Sequence, residues 1–148
     1  MEIREFLSPN DVMVDVRASD KVTLLRDLST RAALEVALDT AFVADEVVRR
    51  EQLGSTGVGS GVAIPHARIP GLNRPFGILA RLRKGLDFAA IDGKPVDIVF
   101  LLLLPGSPAS EQLNSLAAVA RQLRKPSVAQ SIRMARDNIE ARSAMLAV

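Results

Sequence analysis

The chain has 148 residues, 48% of them hydrophobic and 24% charged, the balance of one globular domain and not of a disordered or fibrous chain. It has no cysteine and a single histidine, His66. Disulfides, thiolate metal sites, iron–sulfur clusters and cysteine nucleophiles are thereby excluded together, and a zinc site would have to rest on one imidazole plus carboxylates, so neither metal nor cofactor is expected. Nineteen Lys and Arg against seventeen Asp and Glu leave a net charge of +2, and there is no Trp or Tyr for bases to stack on, so nucleic acid is a poor candidate partner.

The charged start Met1-Glu2-Ile3-Arg4-Glu5 leads into no apolar segment. The longest apolar run, Ile98 to Leu104, is seven residues, where a membrane helix needs roughly 20. No membrane insertion and a cytoplasmic location are expected.

Val12 to Val16 is mostly β-branched and predicts a short strand. Asp20 offers an N-cap to a helix carrying Val22, Leu25, Leu28, Ala32 and Val36 on one stripe. Thr40 can cap a second helix, roughly Phe42 to Leu53, with Ala44, Val47, Val48 and Leu53 inward and Gly54 as its stop. Val62-Ala63-Ile64 predicts a short strand, and the stretch Ile69 to Pro75, with two prolines and a glycine, a loop. Phe76 to Arg83 alternates, with Phe76, Ile78, Ala80 and Leu82 on one side, as a half-exposed strand does. Asp92-Gly93 marks a turn. Val96 to Leu104 is apolar on both faces and predicts a central strand. Ser107-Pro108 has the form of a helix start, followed by a face of Leu113, Leu116, Ala117, Ala120 and Leu123. Pro126 stops that helix, Ser127 opens a short one to about Ala135, and Asp137 with Glu140 has capping-box spacing for a last one. Strands alternating with helices predict an α/β fold, a mixed β-sheet flanked by α-helices in a single layered domain over residues 1–148.

Gly54 to Gly61 holds four glycines in eight residues, a loop or bent strand with close backbone approach. It is neither a dinucleotide fingerprint, since Val62 stands where a third glycine is needed, nor a P-loop, since Ser60 and no lysine follows Gly59. Such glycines serve tight turns, or present amides to an anion as a nest. His66 is open to two readings, a structural imidazole or a nucleophile. Pro65 fixes the backbone before it. Arg50, sixteen residues upstream at a helix end, can supply a bidentate phosphate contact. An imidazole is largely neutral at pH 7, and phosphoryl transfer asks mainly for alignment and donors around the transferred oxygens. Taken together these features describe a phosphohistidine site.

The run from Arg50 through Gly54-Ser55-Thr56-Gly57-Val58-Gly59-Ser60-Gly61 to Ile64-Pro65-His66 resembles the active-site block of enzyme IIA of the phosphoenolpyruvate-dependent phosphotransferase system, fructose/mannitol type, and within it is most similar to the nitrogen-regulatory kind. Leu7-Ser8-Pro9, Lys21, the block Phe88 to Asp97 and the helix Leu113 to Leu123 extend the likeness over almost the whole chain. The resemblance implies that His66 accepts the phosphoryl group, that Arg50 steadies it, and that Ser55, Thr56, Gly57, Gly59 and Gly61 form a phosphate-binding loop. It implies a phosphorylated histidine carrier of the HPr kind as donor. It also implies a role as a phosphorylation-state switch acting on targets such as potassium transporters or sensor kinases. A sugar-specific component relaying phosphate to a separate IIB domain, and a non-catalytic anion-binding module, are the alternatives. The chain departs from the family at Gln112, where a second histidine usually stands. Gln112 either donates a neutral hydrogen bond to the phosphoryl group or simply packs.

From Ala67 to Leu86 there are five bases, Arg68, Arg74, Arg81, Arg83 and Lys84, and no acid. They form a solvated strand face or a docking surface for an acidic partner, in which case neutralising Arg81 and Arg83 weakens binding.

Overall fold

The computed structural model describes the backbone of residues 1–106 and 110–148 and the side chains of residues 1–106 and 114–148. Two short 3₁₀ turns, Ile3–Glu5 and Pro9–Asp11, lead into β1 (Val12–Val16), α1 (Lys21–Glu35) and α2 (Thr40–Leu53). Then come β2 (Gly57–Gly59), β3 (Val62–Ala63), β4 (His66–Ile69), β5 (Phe76–Leu86) and β6 (Val96–Pro105), followed by α3 (Ser110–Leu123), α4 (Pro126–Met134) and α5 (Asn138–Leu146).

The six strands form one mixed sheet in the order β1-β5-β6-β3-β2, with β4 also paired to β6. β5 and β6 run antiparallel, β1 pairs β5 in parallel, and β3 and then β4 pair β6 in parallel along its other edge. β6 is the spine of the domain. Its odd residues Val99, Leu101 and Leu103 join the core under α1 and α2. Its even residues Ile98, Phe100, Leu102 and Leu104 join a second core with Val119 of α3, Ile132 of α4 and Met145 of α5. The continuous apolar run follows from burial on both faces, because strand side chains alternate and here both faces are covered.

Several expectations are corrected. α2 is capped by Asp39, whose carboxylate accepts from the Phe42 N–H at 2.8 Å, so Thr40 is the first helical residue and not the cap. Gly54 ends α2 with φ 166°, extended backbone open to any residue, so the stop is not a left-handed glycine cap. Val22, Leu53 and Ala117 face solvent. On α3 Leu116, Ala120 and Leu123 pack on the core as expected, and among the described residues Ser115, Val119 and Gln122 are also buried. β5 runs on to Leu86 and is covered on both faces through Leu82, leaving only Arg83 and Lys84 fully exposed. Strand β4 is announced by no pattern in the sequence. Glu140 does not reciprocate the Asp137 cap but accepts from the Arg136 N–H and guanidinium. Ser107 and Pro108, and the side chain of Leu113, lie outside the described residues.

Candidate active site around His66

The chain reaches His66 through two devices. Gly57 to Ala63 folds as the β2–β3 hairpin, whose reversal places Gly59, Ser60 and Gly61 all at positive φ. β3 then lies along β6, with Val62 opposite Ile98. Pro65 has no N–H to give the ladder, but its carbonyl accepts from Leu102 N at 2.9 Å. β4 resumes the pairing with His66 opposite Leu102. Along β4 the burial alternates: Ala67 and Ile69 point into the core, His66 and Arg68 away from it.

His66 is half-buried. Its Nδ1 lies 2.8 Å from the Ile64 carbonyl oxygen. A carbonyl can only accept, so Nδ1 carries the proton and Nε2 keeps the lone pair. Burial, the largest influence, holds the imidazole below its usual 6.5. The Ile64 carbonyl works against it, Arg50 adds to the lowering and Glu51 opposes. At pH 7 the ring is therefore neutral and nucleophilic.

His66 opens on a groove of about 330 Å³ lined by Arg49, Arg50, Leu53, Arg68 and Leu116 among others. Arg50 comes from the last turn of α2, and one of its guanidinium N–H groups donates to the Gly54 carbonyl at 2.9 Å, which leaves the remaining donors of a five-donor fork for the groove. Arg49 is tied to Glu46 at 2.9 Å. Gln112 lies in α3, one turn before Leu116; its side chain is outside the described residues.

The structure joins His66 and Arg50 but distributes the other expected residues differently. The Ser55 hydroxyl donates to Phe88 O at 2.6 Å and accepts from Gly57 N at 3.0 Å. Thr56 gives both its N–H, at 2.9 Å, and its hydroxyl to the Glu51 carboxylate. Gly57 sits so close to the loop after β5 that a Cβ there would come within 2.7 Å of the Ala90 Cβ. Gly61 accepts from Asp97 N and Ile98 N. Ile98 stands four residues along β6 from the partner of His66, about 13 Å at strand rise. The glycines thus build the hairpin that delivers β3 and β4 to β6.

The sequence assigns no role to Glu51, which lies beneath the site. Glu51 is buried between Thr56 and Lys21, whose ammonium lies 2.6 Å away and also donates to Phe88 O at 2.9 Å. The tie continues through Thr56, whose carbonyl accepts from Ile64 N at 3.0 Å, to the Ile64 carbonyl that orients His66. Arg68 shares the face of His66. The signal for it was the period of two along 66–69, hidden because no strand was expected there.

The basic stretch also resolves. Arg81 is not a docking residue. Its guanidinium is only 12% exposed and donates to the carbonyls of Ile132 at 3.0 Å and Ala135 at 2.6 Å, closing the C-terminal end of α4. Arg74 is bound to Glu5 O at 2.6 Å.

Residues 5–147 match the family model of the phosphoenolpyruvate-dependent sugar phosphotransferase system, EIIA 2. The chain belongs to that EIIA family. A nitrogen regulatory protein of Bradyrhizobium diazoefficiens is 39% identical, over 93% of this chain and 90% of the relative. The crystal structure of nitrogen regulatory protein IIA-Ntr from Neisseria meningitidis superposes with a TM-score of 0.90 at 33% identity, covering 95% of this chain and 97% of that one. IIA mannitol from Escherichia coli, at 14% identity and a TM-score of 0.76 over 93% of this chain and 97% of that one, shares the fold. Membership in the EIIA family implies phosphoryl transfer through a phosphohistidine, and the mixed sheet between two helical layers is the architecture of that family. No described helix is long and apolar enough to cross a membrane.

Proposed function

We propose that this EIIA domain accepts a phosphoryl group on Nε2 of His66 from a phosphorylated histidine carrier of the HPr kind, and that the modified and unmodified forms address different regulatory proteins. The observation that carries the reading is the 2.8 Å contact between Nδ1 and the Ile64 carbonyl. It fixes the tautomer and leaves the free lone pair on Nε2 of a half-buried, neutral ring that lines a groove shared with Arg50.

Transfer needs little more than this arrangement. The Nε2 lone pair attacks phosphorus while the phosphorus–nitrogen bond on the donor ring breaks, and its electron pair returns to the donor nitrogen. If the donor ring holds its second proton, it departs as neutral imidazole and no proton has to cross. The product ring on His66 gains positive character, and its Nδ1–H strengthens its bond to the Ile64 carbonyl. Arg50 faces the phosphoryl oxygens, where preorganised donors act on the charge in flight. Adding about −1.5 to −2 charges to a groove rimmed by arginines changes its sign balance, which is how a modification can change the choice of partner. The full-length likeness to nitrogen regulatory proteins supports the regulatory reading over sugar relay.

The test is incubation with phosphoenolpyruvate, enzyme I and a histidine carrier. An acid-labile, base-stable adduct is expected in the wild type and absent in His66→Ala; its absence from the wild type removes the phosphocarrier reading and leaves an anion-binding module. Discharge of the adduct to a IIB domain, without any difference in protein capture between phosphorylated and unphosphorylated forms, would show the sugar-relay role instead. Histidine at position 112 in Gln112→His is expected to alter the rate or the lifetime of the adduct. Unchanged values for both mean that Gln112 does not touch the phosphoryl group.

A further inference from the structure

The groove beside His66 contains a cation that the reading above leaves unused. Arg68 lies two residues beyond His66 on β4 and on the same face of the strand, so its Cα is about 6.6 Å further along. Both residues line the one groove that also receives Arg50. The other arginines of the groove have employment: Arg49 pairs with Glu46, and one N–H of Arg50 holds Gly54 O. Arg68 is exposed and, among the described residues, its guanidinium has no hydrogen bond or ion pair.

A phosphoryl group in transfer presents three peripheral oxygens with its charge spread over them. Arg50, with part of its fork already committed, approaches from the α2 side of the groove. We propose that Arg68 is a second phosphoryl-binding residue, approaching from the β4 side, so that two guanidinium groups bracket the group held on Nε2 of His66. The formal charges agree. Arg49 and Glu46 cancel, and Arg50 with Arg68 supplies two positive charges to a group bearing up to two negative ones. This inference rests on His66 being the acceptor.

The alternative use of an exposed arginine at a groove rim is to steer an acidic partner, and the experiment must separate the two. Phosphoramidate does so because it has no protein surface. Its phosphorus–nitrogen bond breaks as Nε2 of His66 attacks, and the electron pair leaves on ammonia. Adduct formation on His66 is followed with phosphoramidate alone and with the phosphorylated carrier, in wild type, Arg68→Gln, Arg68→Lys and Arg83→Gln. Arg83 is exposed on β5, away from the groove, and serves as the control for lost surface charge.

Arg68→Gln is expected to slow formation by about ten- to a hundredfold with both donors, the usual range for losing a charge-assisted hydrogen bond in a transition state. Arg68→Lys is expected to recover part of the rate, since it restores the charge without the fork. Arg83→Gln should match wild type with phosphoramidate. Slowing of Arg68→Gln with the carrier alone would show docking and overturn the proposal, as would wild-type rates with both donors. An adduct missing from the wild type itself would remove the acceptor reading and this inference with it. That result differs visibly from an adduct that forms in wild type and is indifferent to Arg68.

Discussion

Lys21→Met removes one half of the ion pair beneath the active site. The ammonium sits 2.6 Å from Glu51 Oε2, with the two side chains 21% and 4% exposed. Removing one partner of a fully buried pair costs about 3–5 kcal/mol because the other charge is left in a poor dielectric. Two features reduce that figure here. Lys21 keeps contact with water, and Glu51 retains the Thr56 N–H and hydroxyl as donors. The Phe88 carbonyl also keeps a partner in the Ser55 hydroxyl. A loss of about 2–3 kcal/mol follows, equivalent to roughly 5–10 °C in Tm for a domain of this size. The double variant Lys21→Met/Glu51→Gln removes the stranded charge, so it should be more stable than Lys21→Met alone by at least about 0.5 kcal/mol. Urea denaturation of wild type, both single variants and the double variant gives the coupling directly. Additive losses, or a Lys21→Met variant within about 0.5 kcal/mol of wild type, would refute the view that Glu51 is held as a buried anion.

The depressed affinity of His66 for protons carries a stability signature: the unfolded chain binds a proton more readily than the folded one, so stability is full above the ordinary value of 6.5 and falls as the solution is acidified below it. Urea midpoints should drop between pH 7.5 and pH 5 by more in wild type than in His66→Gln; equal drops would contradict the burial of the ring. Arg81→Gln should cost about 1.5–3 kcal/mol by uncapping α4 and leave affinity for the phosphocarrier unchanged; normal stability with weakened carrier binding would restore the docking role. Gly57→Ala forces a methyl to within 2.9 Å of the Ala90 Cα and should lose about 1–3 kcal/mol. Gly54→Ala, with nothing within 4 Å, should melt at or above the wild-type temperature, and a fall comparable to that of Gly57→Ala would contradict the packing described.

What the sequence made legible is what depends on local pattern. β1 was bounded correctly because its residues are β-branched and flanked by polar ones. β6 is legible because seven apolar residues in a row are too few for a typical buried helix and suit a strand covered on both sides. That Arg50 and His66 line one groove is legible through the motif that spans them. The remainder depends on partners distant in the chain. β4 is four residues, too short for alternation to announce itself, and it exists because β6 offers a free edge beyond Pro65. Arg81 resembled a surface charge in an alternating strand, yet the carbonyls it serves lie more than fifty residues later. Glu51 stood beside Arg50 in the motif, but its use is visible only when Lys21 arrives from the start of α1. Of the four glycines, Gly57 permits a close approach to Ala90, while Gly59 and Gly61 take positive φ in the turn between β2 and β3, contacts that no local pattern announces.

The orientation of the His66 ring is the most exposed claim, since both the acceptor and the geometry of transfer hang on it. Phosphorylating the protein with ¹⁵N-labelled histidine and recording two-dimensional ¹H–¹⁵N and ³¹P spectra identifies the nitrogen that bears phosphorus. The account requires phosphorus on Nε2, with a protonated Nδ1 before and after transfer. Phosphorus on Nδ1, or a neutral ring protonated at Nε2 in the unmodified protein, would contradict it.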